Sequence, residues 1–231
     1  MAVETVKRRQ RGDVEAMRKQ VLYVSAITFL NKGYTNTTLR EIAKAANINI
    51  GSLMNLFKCK EDILVELVKY VLEGQFTATR NLLKDKTEDK ILFYAAETTL
   101  QLHMAESGEH IRDIYNWAYS LPKARDIIQH TITYKLEEIF GPYLPHLDTK
   151  DFFELEIATG GIMRGFMTVP CDMYFTMDRK VKRFLETALK IYDVPEEKIQ
   201  EAVEFVSGFN FKTIARQTID AMLTYLEEKV T

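Results

Sequence analysis

The chain has 231 residues, 46% of them apolar, with 10 Gly, 5 Pro and a formal net charge of −2. That length holds one large or two modest domains, and the scarcity of Gly and Pro disfavours a turn-rich β protein and suits long helices. No run of 18 apolar residues occurs, so no membrane-spanning helix is expected. The basic N-terminus lacks the apolar stretch of a secretory leader, and two cysteines, Cys59 and Cys171, make no disulfide framework. A reducing, cytoplasmic setting is expected.

The small net charge hides an asymmetry. Residues 1–60 hold 11 Lys+Arg against 4 Asp+Glu, a net of +7, whereas the remainder holds 20 against 29, a net of −9. A basic part joined to an acidic part suggests a nucleic-acid partner for the basic one. Lys7, Arg8, Arg9 and Arg11 read as a flexible basic arm that can follow phosphates or enter a minor groove; a solvated tail accounts for them equally well.

In chain order, a first helix is predicted over 14–32, ending before Gly33. A second spans 38–46. Thr38 followed by Glu41 fits a capping box, in which each side chain covers a free amide at the helix start. Leu39, Ile42, Ala43 and Ala46 recur at helical spacing and form one apolar face. Asn47 stands where this helix must stop, and Asn tolerates a left-handed backbone. Asn49 is a good N-cap for a third helix over 50–56. There Leu53 and Phe57 face inward, leaving Ile50, Gly51, Ser52, Met54 and Asn55 for the outside. Two short helices on a tight turn are the form in which a recognition helix enters the major groove.

These residues resemble the TetR family of repressors. Ile42, Ala43, Ala46, Ile48, Gly51, Ser52, Leu53, Phe57, Lys60, Glu61 and Leu64 match its helix-turn-helix segment in register. Phe29-Leu30-Asn31-Lys32-Gly33-Tyr34 is similar to the end of its first helix. The resemblance covers about residues 18–65. Met54 and Leu56 stand where the family usually has Tyr and Tyr or His, and Cys59 where it has Ser or Asn, so an atypical operator is implied; Asn47 in place of the usual turn Gly is a mild change.

Further helices are predicted over 60–84, 87–107, 109–119, 123–140, 149–168, 174–192 and 195–229, with Pro122 and Pro195 as first-turn residues. The chain is thus all-α: a three-helix DNA-binding domain over 1–60 and a larger ligand-binding and dimerisation domain over 61–231. The resemblance implies that helix 60–84 couples ligand to the spacing of two DNA-binding domains. It also implies a homodimer built through the last long helices.

On double-stranded DNA, Ser52 and Asn55 are expected at base edges or phosphates, Asn55 pairing with adenine. Thr38, Arg40 and Lys60 are expected on the backbone, with Asn49, Ile50, Gly51, Met54 and Lys58 beside them. For a homodimer interface, Ala158, Gly161 and Gly165 form a small-residue face, although tight packing within one chain explains them too; Phe209 and Met222 are further candidates. For a small-molecule effector, His103, Tyr115, Trp117, Tyr119 and Arg164 are candidate pocket residues amid many aromatics and methionines, and an apolar or amphipathic ligand is favoured.

Enzymatic readings find no support. His103, His110, His130 and His146 are scattered, with no metal-ligand spacing, no phosphate loop and no nucleophile elbow; no metal or cofactor is expected. Against a ligand-released repressor stand two other readings. One is an architectural or partner-controlled DNA-binding protein. The other is a helical ligand-binding protein that has lost its operator affinity.

Overall fold

The computed structural model describes residues 2–230, with side chains from Asp13 to Val230. Among the described residues there are eleven α-helices and no strands. They are α1 (Ala2–Lys32), α2 (Leu39–Ala45), α3 (Ile50–Leu56), α4 (Lys60–Leu83), α5 (Lys90–Ala105), α6 (Glu109–Ala118), α7 (Pro122–Phe140), α8 (Thr149–Thr168), α9 (Met177–Ile191), α10 (Glu196–Ser207) and α11 (Phe211–Glu228).

Most predicted spans agree within a few residues, and the differences have local causes. The α1 helix begins at Ala2, so its backbone is continuous through the expected arm; the side chains of Lys7, Arg8, Arg9 and Arg11 lie outside the described ones. The single helix expected over 195–229 is two. Gly208 caps α10, and the Asn210 side chain accepts from the Thr213 amide at 3.1 Å to start α11. Pro195 is the N-cap of α10 rather than a first-turn residue, whereas Pro122 does open α7.

The body is organised around α5, which is buried on almost every face and is contacted by α4 and by α6 through α11. Its core joins Leu100, Leu102, Phe140, Phe152, Phe184 and Leu189. A second core lies under the basic end and contains Val21, Phe29, Ile42, Leu53 and Phe57. That core extends along α4 through Ile63, Leu64, Leu67 and Val68, and takes in Ala118, Ala124, Ile128 and Leu226 from the body. Phe93, Tyr119 and Ile132 pack against both cores. Residue 60 is therefore a seam in the sequence across which the apolar interior continues.

Candidate nucleic-acid interface and ligand chamber

The α2–α3 unit is held by the local chemistry its sequence encodes. The Thr38 amide donates to Glu41 Oε2 at 2.9 Å and the Glu41 amide to Thr38 Oγ1 at 3.3 Å, completing the capping box. Hydrogen bonds from Lys32 and then Thr38 hold the Glu41 carboxyl down at about 2. Asn47 takes φ 54° and turns the chain, and the Ser52 amide donates to Asn49 Oδ1 at 2.8 Å, starting α3. Leu53 and Phe57 are buried as expected.

The outward surface carries Thr38, Arg40, Asn49, Ile50, Gly51, Met54, Asn55 and Lys58, with Ser52 half-buried at its edge. Met54 is 50% exposed, a large apolar side chain at the centre of a polar and basic face. Lys60 departs from its expected place on the phosphates. Its ammonium donates to the carbonyls of Tyr34 and Thr37, at 2.5 and 2.7 Å, and sits 4.1 Å from the centre of the Tyr34 ring. Burial there lowers its pKa. Lys60 thus ties α4 to the turn after α1, because that turn leaves two carbonyls without helical partners. Arg18, which the sequence did not single out, clamps the far end of α3. It donates to the Leu56 carbonyl at 3.2 Å, lies over the Phe57 ring and pairs with Glu66 at 3.1 Å.

A second set of contacts fastens this unit to the body. Gly33 turns the chain with φ +79°. The Thr35 amide and hydroxyl donate to the two oxygens of Asp113 on α6, at 2.8 and 2.7 Å. Trp117, expected in the ligand pocket, donates from Nε1 to Thr35 Oγ1 at 2.7 Å and packs on Tyr34. At the start of α7, the Lys123 amide donates to Glu61 at 2.7 Å and its ammonium to Asp62 at 2.6 Å.

Behind this junction lies an apolar cavity of about 110 Å3, walled by Phe29 of α1, Leu67, Val68 and Gln75 of α4, Met104 of α5, Tyr115 of α6 with its C-cap Tyr119, and Met222 of α11. Two of the five ligand candidates, Tyr115 and Tyr119, line it. The Gln75 amide nitrogen donates to the Tyr115 hydroxyl, leaving Gln75 Oε1 buried and unpartnered. A smaller chamber of about 40 Å3 adjoins it and contains Glu97 and Glu156 in its wall; Gln101 and Tyr119, hydrogen-bonded at 2.7 Å, line both spaces.

The other ligand candidates lie elsewhere. His103 stacks on Phe211 in a separate cleft beside Arg216 and Asp220, and burial lowers its pKa to about 4. Arg164 is exposed and reaches Asn116 at 3.4 Å. Sequence reasoning missed Gln75, Glu97, Gln101 and Glu156. The available signal was one acidic residue inside an otherwise apolar helix, as in Ile91-Leu92-Phe93-Tyr94-Ala95-Ala96-Glu97.

The candidate dimer residues divide into two groups. Ala158, Gly161 and Gly165 are exposed along one side of α8 with Ile157, and a Cβ added at Gly161 or Gly165 would meet nothing within 4 Å among the described residues. Close approach inside the chain therefore does not account for these two glycines. Phe209 and Met222 instead pack within the chain, Phe209 between Phe205 and Phe211 and Met222 over Gly74, where a Cβ would meet it at 2.5 Å.

A capped α2–α3 unit with a basic, polar outer face, carried on a helical body, defines a helix-turn-helix DNA-binding protein. Residues 23–67 match the family model described as bacterial regulatory proteins, tetR family. The probable HTH-type transcriptional regulator YttP of Bacillus subtilis is 24% identical over 160 residues, 66% of this chain and 69% of that protein. The HTH-type transcriptional repressor KstR2 of Mycobacterium tuberculosis is 32% identical over 103 residues, 42% of this chain, which thus spans about half (51%) of that repressor's length. The crystal structure of RolR in complex with resorcinol is similar in fold, with a TM-score of 0.64 at 17% identity over 85% of this chain and 96% of that one. Residues 23–67 are thus a TetR-family helix-turn-helix domain, and the relatives that the chain resembles are named as transcriptional regulators and repressors.

Proposed function

We propose that the protein is a homodimeric repressor that binds a palindromic operator through α3 and is released by a small apolar or amphipathic ligand held in the body. The observation that carries this reading is the position of the 110 Å3 cavity, whose wall includes Phe29 of α1, Leu67 of α4 and Tyr115 of α6. An occupant touches the DNA-binding unit and the body together, and a ligand that prefers one arrangement of those helices shifts the population towards it. RolR, which shares the fold, was crystallised with resorcinol, a molecule that a cavity of this size can hold. A cavity at this place favours a ligand sensor over a purely architectural protein. A DNA-bound regulator meeting a diffusible metabolite also fits the cytoplasm.

Two copies are required because one α3 spans too few base pairs, and a two-fold axis sets half-sites about one helical turn or a multiple apart. The small-residue face of α8 supports a second copy there. The deciding experiment is selection of duplexes from a random pool at several salt concentrations, followed by an effector screen on the selected duplex. Enrichment of a palindrome with binding that falls steeply with salt is the expected result. Salt-sensitive binding without enrichment defeats the repressor reading.

A further inference from the structure

Two carboxyl side chains are buried in the body with no cation beside them. Glu97 of α5 is 6% exposed and has no hydrogen-bond partner among the described residues. Glu156 of α8 is 4% exposed, and its Oε2 accepts only from the Thr159 hydroxyl, at 3.3 Å. Both line the 40 Å3 chamber. Lys135 of α7 lines it too, but its ammonium turns to Glu138 at 3.0 Å and its side chain is 40% exposed. Buried carboxyls are costly unless paired. Glutamine or methionine would fill either position at lower cost, so stability does not account for the acids.

The rest of the chamber suits the same occupant. Phe93, Tyr94, Tyr119 and Phe184 present aromatic rings to it, and ring faces attract organic cations. Its volume admits an ammonium and the first carbons attached to it. The adjoining 110 Å3 space is apolar, and together with the 40 Å3 chamber it matches the roughly 150 Å3 of an apolar cavity that holds benzene, so the two can take a small ring or short alkyl body with its ammonium. Gln101 and Tyr119 border both spaces, so a single ligand can occupy the two together.

We propose that the body binds an amphipathic organic cation, a protonated primary amine on a compact aromatic or alkyl body, with its ammonium between Glu97 and Glu156. This assignment rests on the reading of the protein as a ligand-released repressor and names the chemical class of that ligand. Burial pushes Glu97 up to about 7 and Glu156 up to about 8, so near neutral pH the empty chamber keeps Glu156 mostly protonated and Glu97 about half protonated. The incoming ammonium keeps its proton, one carboxyl gives up its own to solvent, and an ion pair forms in the chamber.

The test uses calorimetry on the full chain near neutral pH with three probes of one shape: 2-phenylethylamine, 2-phenylethanol and phenylacetate. The amine is expected to bind at least about tenfold tighter than the others and to release a proton, read as a heat that depends on the buffer. Glu97→Gln and Glu156→Gln, checked for folding by their helical circular dichroism, should each weaken amine binding by about tenfold and leave the alcohol within about twofold. Equal binding of the alcohol or phenylacetate, amine binding unaffected by both substitutions, or no amine binding overturns the assignment. Release of the selected duplex by resorcinol or the alcohol, but not by the amine, overturns it while leaving the repressor reading intact. Amine binding that depends on the carboxyls, with the duplex left bound by the amine, the alcohol and resorcinol alike, upholds the cation site and counts against the ligand-released repressor reading.

Discussion

Asn55 and Lys60 are five residues apart in the chain, on α3 and at the start of α4, and do different work. Asn55 is exposed on α3 and its side chain makes no hydrogen bond among the described residues, so its side-chain amide is available to a base edge. Asn55→Ala should relax preference at particular positions of the duplex while leaving the fold intact. Lys60 gives its ammonium to two carbonyls, and Lys60→Ala should cost about 2 kcal/mol of stability as well as any phosphate contact. A melt together with a position-by-position binding profile separates the two, and identical uniform losses would defeat the role given to Asn55. Gly33 is needed for a different reason: its φ is +79° and a Cβ would stand 2.9 Å from Asp113 Oδ2. Gly33→Ala should destabilise by about 1–2 kcal/mol, measured by denaturant unfolding. The sequence showed that a turn falls here; that α6 presses against it came only from the fold.

At the scale of elements, α2 and α3 were legible because their ends are set locally. Thr38, Asn47 and Asn49 act on amides two or three positions away or on their own backbone, and the apolar spacing supplies the inward face. The break between α10 and α11 had the same kind of signal in Gly208 and Asn210, but an apolar period that continues across it concealed the stop. The role of α6 was not legible at all. Asp113 and Trp117 bind Thr35 from the body, giving the DNA-binding unit a second attachment beside α4. Asp113→Ala should preserve duplex affinity within about threefold yet reduce the ligand-induced loss of that affinity, since the coupling free energy needs a contact that differs between states. Duplex titrations with and without the effector measure this, and undiminished release in the variant would exclude α6 from the coupling.

For the whole molecule, the exposed line of Ala158, Gly161 and Gly165 on α8 leads to a prediction about assembly. Gly161→Glu should convert a particle of twice 26.8 kDa into one of 26.8 kDa, observed by sedimentation, because a charge would enter a closely packed face. An unchanged mass places the interface elsewhere. The buried acids set a pH dependence. Glu97 and Glu156 hold protons to about 7 and about 8 in the fold against 4.5 in the open chain. Between those limits the two acids bind more protons folded than unfolded, so the stability they contribute falls as pH rises from about 4.5 and levels off above about 8, while the half-buried His103, lowered to about 4, acts in the opposite sense below about 6.5. Lys135, the one cation lining the chamber among the described residues, faces Glu138 and does not offset this. The melting temperature of the chain minus that of the Glu97→Gln, Glu156→Gln double variant should decline across that range; a difference that rises with pH would contradict the burial of these groups as acids.

The sequence by itself determined the all-α class, the bounds of α2 and α3, and the residues on the outer face of the helix-turn-helix, because caps and the helical repeat act over a few neighbouring residues. Only the tertiary structure decided that Lys60 is a structural tie, that Trp117 belongs to the junction, that Met222 packs on Gly74, and that Glu97 and Glu156 share one chamber. Those facts bring together residues from different helices, α5 and α8 in the case of the two acids. Which faces meet depends on how the helices pack, and no short-range pattern along the chain records that.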